Sequence, residues 1–325
     1  SLSDTVASDG VTTLREAIQA ANTNSPVGDV PGGSDYETDI ITFDASLAGG
    51  TITLGGTELL ITDDLDIQGL GAESLTIDAN NQSRVFNIPD TAGDIEVGLS
   101  GLAISDGYTS GSGSGVHNHG GGIYNHDGVL TLVDVLVSGN YAELGGGIYN
   151  ESGTLAVTDS AISDNIVTND WIEGCGIYNQ TGHVTITGSA VTGNRGIGQY
   201  VYGAGINNKT GVLIVTDSTI SDNIAQVGPH DLSEGGGIHN SGSLTITDSV
   251  VSGNFGVEYG GGIYNIGSLS ITDSTVSGNS AIEEGGGIYD DGAETSLLGS
   301  WVLGNDAQYG GGILTESPAF TLINS

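Results

Sequence analysis

The sequence contains very few basic residues. Four Lys and Arg stand against 40 Asp and Glu, so the formal net charge is −36 over 325 residues. Such a chain repels nucleic acids, anionic lipids and acidic glycans, and we expect none of these as partners. A polyuronate lyase needs Lys or Arg to bind its substrate and to serve as the base, so this class is also disfavoured. The basic side chains are Arg15, Arg84, Arg195 and Lys209.

Other residue types are scarce as well. The chain has no Met, five Pro and a single cysteine, Cys175, which excludes an internal disulfide. We expect Cys175 to be a small buried residue. No apolar run reaches the roughly 18 residues of a membrane helix, so no membrane insertion is expected. The absence of an initiator Met and of a signal peptide indicates a processed or excised segment.

Glycine is abundant, and it marks an internal repeat. The motif GGGIYN begins at 120 and recurs in related forms at 145, 174, 203, 235, 260, 285 and 310. The Ile positions are separated by 25, 29, 29, 32, 25, 25 and 25 residues. The extra residues of the long units fall at one place, just before the next Gly run. They predict insertion loops on one side of the molecule, at 166–173, 195–202 and 224–234.

Each unit reads as three short strands. Period-two alternation with β-branched residues, broken by Gly, Asn and Asp, is typical of strands, and no segment of the repeat has helical periodicity. One unit cannot bury its apolar face alone, so successive units must stack. The sequence therefore predicts one parallel β-solenoid with three faces, in which equivalent residues lie above one another.

The alternation also predicts the direction of side chains. The Ile of each Gly run should enter the core, and Cys175 and Ala204, which share its parity, should enter it too. We expect a ladder of buried amides at one corner, and an outward column of Tyr on the strand that follows Gly. The ladder comprises Asn140, Asn165, Asn194, Asn223, Asn254, Asn279 and Asn305, and the column comprises Tyr124, Tyr149, Tyr178, Tyr264 and Tyr289.

The predicted single domain, 1–325, has three regions. Residues 1–38 form an N-terminal cap with a helix at about 13–22, where Thr13 and Glu16 have capping-box spacing. Residues 39–119 form irregular first turns. Residues 120–325 form eight repeats, and the C-terminal end is expected to be uncapped, which favours self-association through its edge.

The repeats resemble those of a known class of proteins. The units GGGIYN, LTITDS and DSTVSGN, and the leading LREAIQAAN followed by DIITFDASLAGGTITL, are similar to secreted bacterial right-handed parallel β-helix proteins. These carry polymorphic outer-membrane-protein repeats or a choice-of-anchor domain. The resemblance implies a right-handed parallel β-helix with a short N-terminal capping helix, in a secreted or cell-surface protein. It implies no particular activity, because such proteins are mostly uncharacterised or adhesive.

Acidic residues supply the candidates for chemistry. A glycoside hydrolase acting on neutral polysaccharides needs two carboxylates, and the candidates are Glu234, Glu258 and Glu284. Repetition generates rows of acids automatically, and the preferred interpretation of these rows is a solvated acidic surface. Ca²⁺ would relieve their repulsion, and no other cofactor is required. The candidate calcium ligands are Asp35, Glu37, Asp39, Asp63, Asp64 and Asp66.

Histidine and threonine patterns leave two further alternatives. His117, His119 and His126 have a loose transition-metal spacing, and the default interpretation is an exposed loop. The pairs Thr185/Thr187 and Thr245/Thr247 are a feature of ice-binding solenoids, but Ala156 and Ile214 interrupt the array. The leading hypothesis is a non-enzymatic structural or adhesive segment of a secreted or surface protein. Its insertion loops would bind a glycan or protein ligand.

Overall fold

The computed structural model describes residues 1–90, 95–109, 118–256 and 258–325, with 229–231 described by their backbone alone. Residues 1–90 and 95–105 contain one α-helix, one 3-10 helix and seven strands. They are α1 (Leu14–Thr23), β1 (Asp39–Thr42), a 3-10 helix (Ala45–Leu47), β2 (Gly50–Thr53), β3 (Leu59–Leu60), β4 (Leu65–Gln68), β5 (Leu75–Asp78), β6 (Phe86–Ile88) and β7 (Glu96–Ser105).

The repeats contain the remaining strands. They are β8 (Ile123–Asn125), β9 (Val129–Ser138), β10 (Tyr141–Ala142), β11 (Ile148–Asn150), β12 (Thr154–Thr158), β13 (Ala161–Ser163), β14 (Ile166–Thr168), β15 (Trp171–Glu173), β16 (Ile177–Asn179), β17 (His183–Thr187), β18 (Ala190–Thr192), β19 (Arg195–Tyr202), β20 (Ile206–Asn208), β21 (Val212–Thr216), β22 (Thr219–Ser221), β23 (Ile224–Glu234), β24 (Ile238–Asn240), β25 (Ser243–Thr247), β26 (Val250–Ser252), β27 (Phe255–Gly256), β28 (Ile263–Asn265), β29 (Ser268–Thr272), β30 (Thr275–Ser277), β31 (Ser280–Ala281), β32 (Ile288–Asp290), β33 (Glu294–Leu298), β34 (Trp301–Leu303), β35 (Ile313–Thr315) and β36 (Phe320–Ile323).

The strands form a parallel β-solenoid of about nine turns, which confirms the predicted fold class. Three parallel sheets run along it. The IYN sheet has ten strands, β3, β6, β8, β11, β16, β20, β24, β28, β32 and β35. The lateral sheet has seven strands, β10, β14, β15, β19, β23, β27 and β31. The main sheet has 19 strands and takes two from most turns.

Equivalent residues lie directly above one another, as predicted. Ile148 pairs with Ile123 and with Ile177, and Ile238 pairs with Ile263. This Ile column is buried in one continuous core together with the inward residues of the main sheet, such as Leu155 and Val157. Burying about two branched aliphatic side chains per strand supplies most of the stability of each turn, because each removes apolar area from water.

Two backbone features fix the shape of each turn. The main sheet bends where a residue adopts the left-handed conformation, which Asp and Gly tolerate better than other residues. These residues are Asp134, with φ 53°, and the Asp of four DS pairs, with φ 48° at Asp159, 50° at Asp217, 50° at Asp248 and 47° at Asp273. At the last Gly before Ile, no side chain fits: a Cβ at Gly176 would lie 2.6 Å from the carbonyl oxygen of Gly205.

Helix α1 covers the first turns of the solenoid. Thr13 caps it, and the capping box is formed, with Glu16 Oε2 accepting from the Thr13 backbone N–H at 3.0 Å. Leu14, Ile18 and Ala21 pack into the main core. The apolar stripe of the helix therefore shields core residues that would otherwise face water at this end.

Candidate functional site

The three predicted insertion loops are strands of the lateral sheet, so the prediction that they are loops was wrong. Residues 166–173 contain β14 and β15, whereas 195–202 and 224–234 form β19 and β23. Trp171 pairs with Tyr200, and Ile172 pairs with Val201. Because the insertions lie in three consecutive turns, they hydrogen-bond to one another and extend the sheet outward from the solenoid.

A second, smaller core lies under these strands. We call it the satellite core, and it consists of Val167, Ile172, Cys175, Val201, Ala204 and Ala225. Cys175 and Ala204 are buried, as expected, but they lie here and not in the main core. A bend at Cys175–Gly176 separates Cys175 from Ile177, so strand alternation does not carry across it. Burial raises the pKa of the Cys175 thiol, which keeps it protonated and unreactive.

The outer face of the lateral sheet carries exposed aromatic rings. Trp171 is 51% exposed and Tyr200 is 36% exposed. The Trp171 ring centroid lies 5.0 Å from that of Tyr200 and 5.5 Å from that of Tyr202. These three residues form what we call the aromatic platform. Sequence reasoning missed it, although the alternation in Trp171-Ile172-Glu173 and Tyr200-Val201-Tyr202 places the rings opposite buried aliphatic residues.

Polar groups surround the aromatic platform. Trp171 Nε1 donates a hydrogen bond to Glu173 Oε1 at 3.0 Å. Lys209 Nζ lies 3.3 Å from Glu173 Oε2, and half of the Lys209 side chain is exposed. Burial raises the pKa of Tyr202 to about 12, and Glu234 and Glu173 contribute to the shift, so this phenol remains a hydrogen-bond donor at neutral pH.

The Tyr column faces away from the Ile core, as predicted, but neighbouring side chains largely cover it. Tyr124, Tyr149 and Tyr178 are 2–3% exposed and stack on one another, with centroids 5.6 Å and 4.9 Å apart. Tyr264 and Tyr289 are half-buried and stack at 5.2 Å. Burial raises the pKa of each of these phenols. The rings therefore extend the packing of the IYN sheet, and this column is not the recognition surface.

Glutamate and tyrosine alternate in a second column beside it. Glu173, Tyr202, Glu234, Tyr259, Glu284 and Tyr309 are successive register neighbours. Glu234 and Glu284, two of the hydrolase candidates, thus lie two turns apart, with Tyr259 between them. Two strand spacings amount to roughly 9.6 Å. This is well beyond the separation of about 5 Å that a retaining glycosidase uses and is close to the upper end, about 9.5 Å, of the range for an inverting one.

The third hydrolase candidate, Glu258, occupies a neighbouring column. Its backbone N–H donates to Ser233 Oγ at 3.1 Å, and its carbonyl oxygen accepts from the Glu284 backbone N–H at 3.0 Å. Burial raises the pKa of Glu258, with further contributions from Glu283 and Glu234. His239 Nε2 lies 3.2 Å from Glu234 Oε2. The hydrolase assignment remains a prediction.

The candidate calcium ligands mostly accept hydrogen bonds from nearby groups. Asp63 Oδ2 accepts from Asn24, and Asp64 Oδ1 accepts from the Glu96 backbone N–H at 2.8 Å. Asp39 Oδ1 accepts from the Ser34 backbone N–H, and Asp66 Oδ2 accepts from Gln68. Within the described ranges, none of them belongs to a group of three metal-ligand side chains, and neither do Asp35 and Glu37.

The candidate histidines do not form one metal site in the described residues. His117 lies outside the described residues. His119 stacks on Tyr149 with centroids 4.4 Å apart, and burial lowers its pKa. His126 lies with Asp90 and Asp127, and the ligand atoms of these three residues are all within 4.8 Å of one another. Sequence spacing therefore identified one member of a candidate metal site but not its partners.

Comparison with known proteins gives one match. The family model for the Chlamydia polymorphic membrane protein repeat matches residues 273–291, which include β30, β31 and β32. No curated protein and no solved structure matches the chain. Among the described helices, none has the length and apolar character needed to cross a membrane. A parallel β-solenoid that contains this repeat fits a surface-type repeat protein.

Proposed function

We propose that this chain is a non-enzymatic, structural and adhesive segment of a secreted or cell-surface protein, and that the aromatic platform binds a neutral glycan. The observation that carries the proposal is the exposure of Trp171 and Tyr200 in register on the outer face of the lateral sheet. A solvent-exposed Trp stacked on a Tyr leaves apolar area uncovered, and the satellite core lies beneath the strands that carry both rings.

The surroundings of the platform favour a neutral glycan. Flat aromatic faces pack against the apolar faces of sugar rings. Exposed Asp170, whose carbonyl oxygen accepts from the Tyr200 backbone N–H at 2.9 Å, offers a carboxylate that can accept hydrogen bonds from sugar hydroxyl groups. The net charge of −36 repels acidic glycans. Successive platform rings are one strand spacing apart, roughly 4.8 Å, which is about the length of one hexose unit in a chain.

The test is binding of the full chain to an array of neutral polysaccharides and to immobilised surface proteins. Trp171→Ala and Tyr200→Ala should each weaken glycan binding at least about tenfold, since stacked aromatic residues dominate such contacts. Trp301→Ala is the matched control, because Trp301 is 67% exposed but lies on the main sheet. Binding that survives both platform substitutions, or that is restricted to proteins, would overturn the proposal.

The same array of polysaccharides distinguishes the adhesive proposal from the hydrolase alternative. An adhesive segment binds the glycan and leaves its chain length unchanged, whereas a hydrolase releases shorter products. If products appear, Glu234→Gln, Glu258→Gln and Glu284→Gln identify the carboxylates, because loss of either member of a catalytic pair abolishes turnover. Release of products that any of these variants abolishes would replace the adhesive proposal with the hydrolase.

A further inference from the structure

A turn between the IYN sheet and the main sheet brings two aspartates together in adjacent turns of the solenoid. Ile88 pairs with Asn125, and the His126 backbone N–H donates to the Ile88 carbonyl at 2.9 Å. Two residues further along, Asp90 and Asp127 therefore lie in neighbouring turns, beside His126. These are the three side chains whose ligand atoms all lie within 4.8 Å of one another.

Two atoms of this group lack ordinary partners. His126 Nδ1 and Asp127 Oδ1 are buried atoms, and neither has a hydrogen-bond partner. They are 3.7 Å apart, which is too long for a hydrogen bond. Two ligands held at about 2.1 Å from a tetrahedral metal ion are about 3.4 Å apart, so the spacing is close to that of two ligands of one ion.

A third carboxylate faces the other edge of the same imidazole. Glu151 Oε1 lies 3.9 Å from His126 Nε2, and Glu151 Oε2 accepts a hydrogen bond from Tyr124 Oη at 2.5 Å. A proton on Nε2 directed at Glu151 leaves the lone pair of Nδ1 directed at Asp127. At 3.9 Å this contact is too long for a hydrogen bond, so Glu151 acts on the imidazole through its negative charge, whereas a carboxylate behind a metal-binding histidine commonly accepts a hydrogen bond from it.

The charge of the group is not balanced by the basic side chains. The chain has only four Lys and Arg, and each has a partner elsewhere. Arg15 pairs with Asp4 at 2.9 Å, Arg84 with Glu58 at 2.8 Å and Lys209 with Glu173 at 3.3 Å, and Arg195 donates to Gln226 Oε1. Three carboxylates around one imidazole, in a chain of charge −36, therefore favour a bound cation.

We propose that Asp90, His126 and Asp127 bind one divalent transition-metal ion, for which Zn²⁺ fits best. Zn²⁺ accepts imidazole nitrogen and carboxylate oxygen as ligands, whereas Ca²⁺ takes oxygen ligands only. Asp90 is exposed, so a water molecule can complete the coordination. The ion would join the last irregular turn to the first regular repeat. The site is independent of the aromatic platform.

The test is calorimetric titration of the full chain with ZnCl₂ after removal of metals with a chelator. We expect one equivalent of Zn²⁺ to bind, and we expect His126→Gln, Asp90→Asn and Asp127→Asn each to weaken binding at least about tenfold. Asp291→Asn is the control, because Asp291 occupies the position in its turn that His126 occupies here, one residue after the strand of the IYN sheet. His183→Gln controls for exposed imidazole.

A second measurement keeps the result independent of folding. Co²⁺ bound in place of Zn²⁺ should give visible absorption bands that His126→Gln removes, while the unfolding midpoint of the metal-free variant stays at the wild-type value. Absence of Zn²⁺ binding at 1:1 stoichiometry, equal binding by His126→Gln, or tighter binding of Ca²⁺ than of Zn²⁺ would each overturn the proposal.

Discussion

Asparagine side chains form two hydrogen-bonded columns inside the solenoid. At the predicted corner, Asn165 Nδ2 donates to Asn194 Oδ1 at 3.0 Å, and Asn165 Oδ1 accepts from the backbone and side chain of Asn140. A second ladder runs through the third position of the IYN strands, where Asn125 Nδ2 donates to Asn150 Oδ1 at 2.8 Å. Along both ladders the amides link adjacent turns, which offsets the cost of burying them, and Asn125 Oδ1 at the start of the second ladder is left without a partner.

A carboxylate replaces the amide at one position of the second ladder. Asp290 is fully buried and accepts from Asn265 Nδ2 at 2.8 Å, from Thr295 Oγ1 at 2.8 Å and from Thr315 Oγ1 at 3.0 Å. The four basic side chains have their partners elsewhere, so hydrogen bonds alone compensate this buried charge. Burying a charge without a counter-ion is costly even when its hydrogen bonds are made.

We predict that Asp290→Asn stabilises the protein by about 1 kcal/mol. The amide oxygen keeps the bonds from Asn265 and Thr295, and the amide nitrogen donates to the hydroxyl of Thr315, which also accepts. The free energy of unfolding in urea measures the change. A lower unfolding midpoint for Asp290→Asn would contradict the prediction.

The reverse substitution provides the matched control. Asn265→Asp places a second carboxylate against Asp290 and removes the donor between them, so we expect a loss of about 3 kcal/mol in the free energy of unfolding. If both substitutions shift the midpoint in the same direction, the charge of the ladder does not determine its stability.

At the scale of elements, the lateral sheet is held by its own core. Val167, Ile172 and Val201 pack in the satellite core and make no part of the main core. The backbone of the Gly runs borders both cores, but no side chain belongs to both of them. The lateral strands can therefore open while the main sheet and the IYN sheet stay closed, which is the behaviour of a separate cooperative unit.

We predict that Ile172→Ala loosens the lateral sheet alone. The substitution removes about 2 kcal/mol of packing from the satellite core, so amides of 166–173, 195–202 and 224–234 should exchange roughly thirtyfold faster. Hydrogen exchange followed by mass spectrometry measures this by segment. Ile186→Ala, in the main core, is the control and should accelerate exchange in the main sheet. Uniform acceleration by Ile172→Ala would show that the cores unfold together.

The register of the sheets was accessible to sequence reasoning because the repeats constrain it. A fixed hexapeptide at spacings of 25–32 residues allows one stacking, and the pairing of Ile148 with Ile177 follows from it. For residues near the Gly run, however, the sequence did not predict which core or column each side chain joins. The bend at Cys175–Gly176 breaks the alternation. Glu258 stands two residues before its Gly run, whereas Glu234 and Glu284 stand one residue before theirs, so Glu258 occupies a different column.

The sequence also did not predict which side chains cover the Tyr column, because this covering depends on contacts between different sheets. Tyr149 alternates like an outward residue, yet it is buried, since neighbouring side chains fold over it. Leu144 packs against the buried rings, and His119 stacks on Tyr149. The metal group shows the same limit. Asp90 and Asp127 are 37 positions apart in the sequence, and only the register of an irregular turn with the first repeat brings them together.

At the scale of the whole molecule, acidic side chains repel one another along the solenoid. Repetition places them in neighbouring turns, where Asp106 faces Asp78 and Glu258 faces Glu283. The pKa of each of Asp106 and Glu258 is raised, first by burial and then by these neighbours. A raised carboxyl pKa means that the folded state disfavours the ionised form, so at neutral pH these groups reduce stability.

Screening of this repulsion by salt should therefore stabilise the fold. Between 0.01 M and 0.15 M NaCl the Debye length falls from about 30 Å to about 8 Å. The lower value is less than the distance of roughly 9.6 Å between acidic residues two turns apart in one column. We predict that the melting temperature rises by a few degrees over this range, because the unfolded chain separates its charges and gains less from screening. Choline chloride at the same ionic strength should give the same rise, whereas an equal osmolality of sucrose should give almost none. A response to Na⁺ but not to choline would mean that specific cation binding, rather than the charge of −36, governs the stability of the solenoid.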